Sequence, residues 1–334
     1  MKAASSIISI ALLLFTTVFF SCDNELDVTD DWKETTVIYG LLNPKDTVHI
    51  IKINKAFLGE GNAFMMAKEP DSTYYGDELE VMFDEIAPEG WITQSWPVDT
   101  IWVNTKDSGI FFSPQQKLYK VNAPLSQNNS YRIRATNTKT GNSASATTKL
   151  VNSFSIERPR SGQLFFSFTY QNLIASFISA KNGRVYQLVI SFSFKEKDIP
   201  TGVITPKTIH WEFPIKKSSS LNGGEEIIVN FSGQSFYSFV ASQLKANEDI
   251  ERIPGDVTFT VYVGGDELNT YNDIHSPIST IVTERPDYTN VTNGIGLFSS
   301  RYHQSRTCQL TVQSVDSLIN GSKTWNLGFV KPGP

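Results

Sequence analysis

The chain has 334 residues, enough for two ordinary domains, and its 29 Lys and Arg against 34 Asp and Glu give a formal charge of -5. This acidic balance argues against a nucleic-acid binder, which needs a cationic surface to displace counterions from phosphates. A hydrophobic share of 40% with 12% aromatic residues argues against a largely disordered chain, and two cysteines exclude a disulfide scaffold.

Residues 1–21 carry the features of a secretory signal peptide. Lys2 provides a positive start, and an apolar stretch follows from Ile7 to Phe20. As a helix this stretch reaches only about 21 Å, short of the roughly 30 Å hydrocarbon core, so it does not predict a membrane span. It ends at Ser21 and Cys22, which resembles a bacterial lipobox, in which the cysteine becomes the acylated first residue. We therefore predict lipidation of Cys22; an ordinary secretory signal beside a coincidental cysteine is the alternative.

Residues 22–32 are too acidic and too few to fold alone, which predicts a tether. Asp23, Asn24 and Glu25 directly follow the predicted lipid site. Acidic residues at this place resemble the export signal that sends Bacteroidota lipoproteins to the cell surface. The resemblance implies an outer-membrane location facing outward. The periplasmic face is the alternative, because lipoproteins there also carry acidic tethers.

Residues 33–153 show the period-two alternation that is typical of half-buried antiparallel strands. A hairpin near residue 140 closes this region, which predicts an immunoglobulin-like or fibronectin-like sandwich without an inter-sheet disulfide. Val48 and Ile50 lie on one phase, whereas Ile51 and Ile53 lie on the other. We expect a β-bulge between the two pairs or a strand covered on both faces. The predicted strands span residues 36–42, 48–53, 79–86, 101–103, 118–121, 131–135 and 143–151.

Pro and Gly within residues 158–162 predict a domain boundary, because both residues interrupt ladders and helices. Residues 160–330 contain longer and more aromatic strands, which predicts a larger antiparallel β-sandwich or open barrel. One segment, 235–245, has apolar residues at helical spacing, and Ser235 is the predicted N-cap of this short helix. A second helical turn is predicted over 267–274. The predicted fold class is therefore all-β.

No pattern in the sequence predicts a metal site, a cofactor or a catalytic triad. His210 and Glu212 share one face of a predicted strand; such a pair can transfer protons, but it also arises on any polar strand face. Three acidic residues and a histidine cluster in a predicted solvated loop that lacks the spacing of an EF-hand. This cluster consists of Asp266, Glu267, Asp273 and His275.

Cys308 has no partner within the chain if Cys22 is acylated. Cys308, Leu310 and Val312 alternate with polar residues, which predicts one strand face and a buried, inert thiol. A reactive thiol would need access to solvent and a pKa lowered by nearby positive charge. Arg306 is close in sequence, so that alternative stays open.

Trp91, Trp96 and Trp102 lie within twelve residues of sequence. Such rings either pack in the core or rim of a sandwich or form an exposed platform on which sugars stack. The second interpretation makes the chain a glycan-binding module.

The whole layout resembles a group of Bacteroidota outer-membrane lipoproteins that contain a domain of unknown function. The resemblance is carried by Cys22 and by residues 37–42, 129–133, 144–147 and 288–298. Gly294 and Gly296, in the last of these segments, predict a bulge or a close backbone approach. The resemblance carries over no catalytic residue.

The resemblance implies an accessory component beside a TonB-dependent transporter or another outer-membrane barrel, with a nutrient or a glycan as its ligand. The leading hypothesis is therefore a lipid-anchored accessory or binding subunit rather than an enzyme. A glycan-binding module that uses the tryptophan segment is the first alternative, and an enzyme of unknown class is the second. The only membrane contact expected besides the barrel partner is the lipid anchor.

Overall fold

The computed structural model describes residues 35–56, 63–275 and 288–332. Within these residues strands dominate and the helices are short, so the prediction of an all-β chain is confirmed. The predicted signal peptide, Cys22 and the acidic residues Asp23, Asn24 and Glu25 lie outside the described residues.

The first half of the chain supplies most strands of one sandwich and two short helices. The strands are β1 (Thr35–Leu42), β2 (Val48–Ala56), β3 (Leu79–Ile86), β4 (Ile92–Pro97), β5 (Asp99–Val103), β6 (Gln116–Asn122), β7 (Ser130–Asn137) and β8 (Ser143–Lys149). The helices are α1 (Ala63–Met66) and α2 (Pro70–Thr73).

The second half contains longer strands and three longer helices. The strands are β9 (Ile156–Arg158), β10 (Phe165–Phe166), β11 (Leu173–Ile178), β12 (Val185–Asp198), β13 (Ile204–Glu212), β14 (Lys216–Lys217), β15 (Glu226–Phe231), β16 (Ile250–Gly264), β17 (Val291–Thr292) and β18 (Gly294–Leu310). The helices are α3 (Gly233–Gln243), α4 (Asp266–His275) and α5 (Val312–Asn320).

The first sandwich packs a five-stranded sheet, ordered β17-β8-β7-β3-β4, against β1, β2, β6 and β5 of a ten-stranded sheet. Ile38 and Tyr119 from the larger sheet meet Phe83 and Tyr131 from the smaller sheet in one buried cluster. The rings of Phe83 and Tyr131 stack with their centroids 5.4 Å apart. Burial of each such ring contributes about 2 to 3 kcal/mol to folding, which explains why the apolar phase of each strand faces inward.

The second sandwich packs β13, β12, β16 and part of β18 from the ten-stranded sheet against a sheet ordered β15-β11-β9. Helix α3 adds Phe236 to this core, where its ring stacks on Phe168 with a centroid distance of 3.8 Å. Aromatic side chains of the long strands, among them Phe192 and Phe259, lie in this core together with aliphatic ones.

Strand β18 joins the two sandwiches. Residues 294–300 pair in parallel with β1, whereas residues 301–308 pair antiparallel with β16. Gly296 has a φ of 127°, and a Cβ at this position would collide with the carbonyl oxygen of Ile38 in β1. The predicted close backbone approach is therefore confirmed. The parallel pairing itself was not predicted, because alternation indicates a strand but not its neighbour.

Strand β2 is regular, and the expected bulge or double covering is wrong. The pairing with β1 and with β6 continues without a register shift. Ile51 and Ile53 are buried, whereas Val48 and Ile50 point to the other face and are exposed. The apolar residues of β2 switch from one alternation phase to the other because Val48 and Ile50 are exposed apolar residues on the outer face. The strand itself contains no bulge.

One helix prediction and one strand prediction need correction. The N-cap of α3 is Ser232 rather than Ser235, because the hydroxyl of Ser232 accepts a hydrogen bond of 3.0 Å from the backbone N–H of Ser235. Val312 does not continue the strand face of Cys308. The strand ends at Leu310, Thr311 caps α5, and Val312 begins this helix in an exposed position.

Candidate functional site

The three tryptophans predicted to bind a ligand have different surroundings. Trp96 is half-buried and packs against Phe83 with a centroid distance of 6.0 Å. Trp91 precedes β4 and is 60% exposed, and Trp102 in β5 is 53% exposed. Strands β4 and β5 belong to different sheets. The structure thus separates the core-packed Trp96 from two exposed rings, and their role in ligand binding stays a prediction.

Trp102 contacts a residue that lines a cavity of about 370 Å³, which we call the aromatic–lysine pocket. Its ring lies edge-on to Tyr74 with 5.5 Å between centroids, and Tyr74 lines the cavity. This volume falls within the range that accommodates a small ligand. The lining consists of Val37, Tyr39, Lys52, Asn54, Lys55, Ala56, Thr73, Tyr74, Lys106 and Phe111.

Four structural elements build the aromatic–lysine pocket. Paired residues of β1 and β2 form one side, because Tyr39 lies opposite Lys52 in the antiparallel register. The end of α2 supplies Tyr74, and the loop between β5 and β6 supplies Lys106 and Phe111. A backbone hydrogen bond of 2.9 Å from Phe112 to Ala67 attaches this loop to the segment that follows α1.

Three lysines and no carboxylate line the pocket among the described residues. Lys106 Nζ donates a 2.8 Å hydrogen bond to the carbonyl oxygen of Phe112 and lies 5.4 Å from the centre of the Phe111 ring. Desolvation lowers the pKa of Lys106, and the positive charge of Lys52 lowers it further. Lys55 is within electrostatic reach of Glu78, which lies outside the lining. The pocket therefore concentrates positive charge in a chain whose total charge is -5.

Asn54 places an unused acceptor at the pocket. Its amide nitrogen donates a 3.0 Å hydrogen bond to the carbonyl oxygen of Thr73. Its Oδ1 atom is buried and has no hydrogen-bond partner within the described chain. Buried acceptors in native proteins are normally paired, so this atom lacks the partner that a buried amide oxygen usually has.

A larger cleft of about 580 Å³ lies where the turn after β1 meets β16, β18 and α4. His303 and Arg301 line it together with Asp46 and Tyr262, and the His303 ring lies 5.9 Å from the Tyr262 ring. This cleft combines a carboxylate with cationic and apolar side chains. The charged side chains that line the smaller aromatic–lysine pocket are all positive, so this pocket is the stronger candidate for a selective site.

His210 has a hydroxyl partner rather than an acidic one. Its Nδ1 lies 2.9 Å from the hydroxyl of Ser191, whereas Glu212 accepts a 3.4 Å hydrogen bond from Gln187. Hydroxyl side chains continue along this sheet face, where Thr258 contacts Thr307 at 2.9 Å. The structure thus places His210 in a row of polar side chains on the outer face of the sheet.

The helical turn predicted over 267–274 is confirmed as part of helix α4, so the acidic cluster lies on a helix and not in a loop. Its carboxylates contact separate partners. Asp266 accepts a 2.8 Å hydrogen bond from Arg184, and Asp273 forms a 2.6 Å ion pair with Lys217. Glu267 is half-buried; desolvation raises its pKa, although Ser299 donates to it at 2.9 Å. The described part of the chain contains no group of three or more His, Cys, Asp and Glu side chains arranged to hold a metal ion.

Cys308 lies in the second core with 2% of its surface exposed, as predicted. Its Sγ atom is 3.3 Å from the carbonyl oxygen of Gln163, and burial raises the pKa of the thiol. The positive charge of Arg306 acts in the opposite direction but does not outweigh burial. The side chain has the properties of an inert core thiol.

No protein-family model matches the chain, and no curated protein matches it in sequence. Among solved structures it is similar to trypsin-activated alpha-2-macroglobulin from Escherichia coli, with 13% identity over 82% of this chain and 15% of that chain, at a TM-score of 0.20. It is also similar to the C-terminal globular domain of oligosaccharyltransferase from Pyrococcus abyssi, with 10% identity over 66% of this chain and 45% of that chain, at a TM-score of 0.24. The chain thus spans less than half the length of either protein chain. Similarity at this level carries no argument about function.

Helices of the described residues are also too short or too polar to cross a membrane.

Proposed function

We propose that this protein is an outer-membrane lipoprotein, anchored through Cys22, that serves an outer-membrane barrel as an accessory or binding subunit. Two acyl chains on the thiol and a third on the amine hold a protein at a membrane, whereas one chain binds only marginally. The observation that carries the binding role is the aromatic–lysine pocket. A concave site with aromatic walls and a few convergent polar groups is the usual form of a ligand site.

The position of the pocket fits this role. Ala56 lines the pocket and pairs with Thr35, the first residue of β1. The chain from Cys22 to Thr35 reaches at most about 45 Å when fully extended. The pocket therefore lies at the end of β1 where the chain leads to the anchor, within reach of a partner in the same membrane.

Exposed apolar side chains beside the pocket support a protein partner. Phe64 and Met65 in α1 and Ile110 and Phe111 in the neighbouring loop are all more than half exposed. The hydrogen bond from Phe112 to Ala67 keeps these two segments together. An apolar patch on a soluble surface marks an interaction site, and confinement at a membrane raises the effective concentration of a partner there.

Co-purification tests the proposal. We expect detergent extracts of the outer membrane to retain a barrel protein with the wild-type chain, and mass spectrometry to identify it. A Phe64→Ser and Phe111→Ser double variant should lose the barrel but stay in the membrane. A Val312→Ser variant, at an exposed apolar position in α5, is the matched control and should keep the barrel. Equal barrel retention by the double variant and the control would contradict the proposed interface.

A glycan-binding module is the second candidate, and the exposure of Trp102 beside Tyr74 favours it. Two adjoining aromatic side chains offer a large stacking surface at low cost in side-chain entropy. Trp102→Ala should then abolish binding on a glycan array, whereas Trp325→Ala, at another exposed ring, should not. An array on which wild-type protein binds no glycan would remove this candidate.

A further inference from the structure

We infer that the aromatic–lysine pocket binds an anionic ligand through a carboxylate or phosphate group, with the remainder of the ligand against the aromatic side chains. This inference rests on the proposed function, because it names the ligand class of the same pocket. The ligand class is inferred from the lining of the pocket: Lys52, Lys55 and Lys106 line one cavity, and its described lining contains no carboxylate.

The first argument is electrostatic. Like charges that share a partly desolvated cavity repel one another: burial lowers the pKa of Lys106, and the positive charge of Lys52 on the same cavity lowers it further. An arrangement that opposes folding in this way is expected at functional sites rather than at random places. A bound anion removes the repulsion and forms charge-assisted hydrogen bonds with ammonium groups.

The second argument concerns partners already used. The side chain of Lys52 has no hydrogen bond or ion pair with a described residue, so the donors of its ammonium group are unused within the described part of the chain. Lys106 has one hydrogen bond, to the carbonyl oxygen of Phe112, and a lysine ammonium has three donors. Both side chains therefore retain donors that a carboxylate or phosphate can accept.

The third argument concerns the body of the ligand. Tyr39, Tyr74 and Phe111 offer apolar ring surface, and the buried Oδ1 atom of Asn54 needs a donor. A molecule with an anionic group, a ring and at least one hydroxyl group satisfies all three features. Acidic sugars have this chemistry, and so do the phosphorylated headgroups of membrane lipids.

Titration calorimetry on the full chain in a neutral detergent tests the inference. D-glucuronate and inorganic phosphate are the anionic probes, and D-glucose is the neutral probe of matched size. We expect heat from at least one anion and none from glucose. Binding should weaken when the ionic strength rises from about 0.05 M to about 0.5 M, because salt screens the lysines.

Lysine variants assign the binding to the pocket. Lys52→Gln should weaken anion binding about tenfold, which corresponds to the loss of one charge-assisted hydrogen bond. Lys106→Gln should do the same, but it also removes the bond to Phe112, so Lys52→Gln is the cleaner variant. Lys120→Gln is the matched control, since Lys120 lies on the neighbouring strand β6, pairs with Ile50 and does not line the pocket. This control should bind like the wild type.

A third arm separates the two sources of the anion. Detergent micelles that contain phosphatidylglycerol are compared with micelles that contain phosphatidylcholine. Binding of phosphatidylglycerol without binding of either soluble anion supports the inference and assigns the anion to a lipid headgroup. The inference is overturned if none of the anionic probes binds, if glucose binds as tightly as glucuronate, or if Lys52→Gln and Lys120→Gln bind alike. These measurements need no barrel, so their failure is distinct from a failure of co-purification.

Discussion

Asp84 shows how charge is handled away from the pocket. This carboxylate in β3 is fully buried and accepts hydrogen bonds of 2.7 to 3.1 Å from Arg132 and Arg134 and one of 2.7 Å from Ser95. Burial raises the pKa of Asp84, but the bonds from Arg134, Ser95 and Arg132 outweigh it and lower the pKa to about 2. Here every charge has a partner, in contrast to the lysines of the pocket.

The lowered pKa of Asp84 predicts a loss of stability in acid. A carboxylate with a pKa below its ordinary value of 3.8 stabilises the fold above that value, and the contribution disappears as the pH falls to about 2. We expect the wild type to lose about 1 to 2 kcal/mol over this window because of Asp84, after allowance for solvent screening at the arginines. Urea unfolding at several pH values measures the loss.

The Asp84→Asn variant should be less stable than the wild type at pH 7 and should lack this part of the pH dependence. Asp107→Asn, at an exposed loop position, is the control and should retain the wild-type slope. An Asp84→Asn protein with the same slope between pH 4 and pH 2 would show that another group causes it.

At the residue level, the sequence indicated one edge of the candidate site and missed its centre. Trp102 was singled out because three tryptophans lie close together in sequence. Lys52 and Lys106 were not, because they are far apart in sequence and meet only when the loop after β5 folds beside β2. Tyr39 lies opposite Lys52 only in the register that β1 and β2 adopt. These contacts depend on tertiary structure, which period-two alternation does not encode.

Strand β18 is the element on which the connection between the sandwiches depends. Its first half lies parallel to β1, and Gly294 and Gly296 let the two backbones approach closely. A side chain at Gly296 would have to occupy a φ of 127° and would collide with the carbonyl oxygen of Ile38. Glycine is therefore required here by both conformation and space.

Gly296→Ala should destabilise the protein by roughly 3 kcal/mol, through backbone strain and displacement of β1. Gly109→Ala is the matched control, because no atom lies within 4 Å of a Cβ at that position. Urea unfolding gives the difference in free energy, and hydrogen exchange should show the largest loss of protection in β1 and β18. A Gly296→Ala protein as stable as the control would refute the close approach of these strands.

At the level of elements, alternation predicts most strands of the first half because buried and exposed side chains alternate along them. Strand β3 was predicted at its observed bounds, from Leu79 to Ile86. Strand β4 was overlooked, since most of its residues are exposed and no apolar phase marks it. Helix α5 was overlooked because Val312 continues the apolar alternation of Cys308 and Leu310, which indicates a strand. In the structure Thr311 is the N-cap of a helix that begins at Val312.

For the whole molecule, the ten-stranded sheet is the feature that unites the two cores. It runs from β13 in the second sandwich to β5 in the first, so backbone hydrogen bonds connect the two halves. The pocket lies in the first sandwich, next to the start of β1. The pocket and the exposed apolar side chains near it are thus parts of the same sandwich, which is the arrangement expected if the protein binds a partner at a membrane, as proposed.

The mass of the N-terminal peptide of the mature protein shows whether Cys22 is acylated. The protein is taken from the detergent phase of membranes, digested and analysed by mass spectrometry. We expect a peptide that begins at Cys22 and carries a diacylglyceryl group on its sulfur. A peptide that begins at another residue, from protein recovered in the aqueous phase, would contradict this expectation.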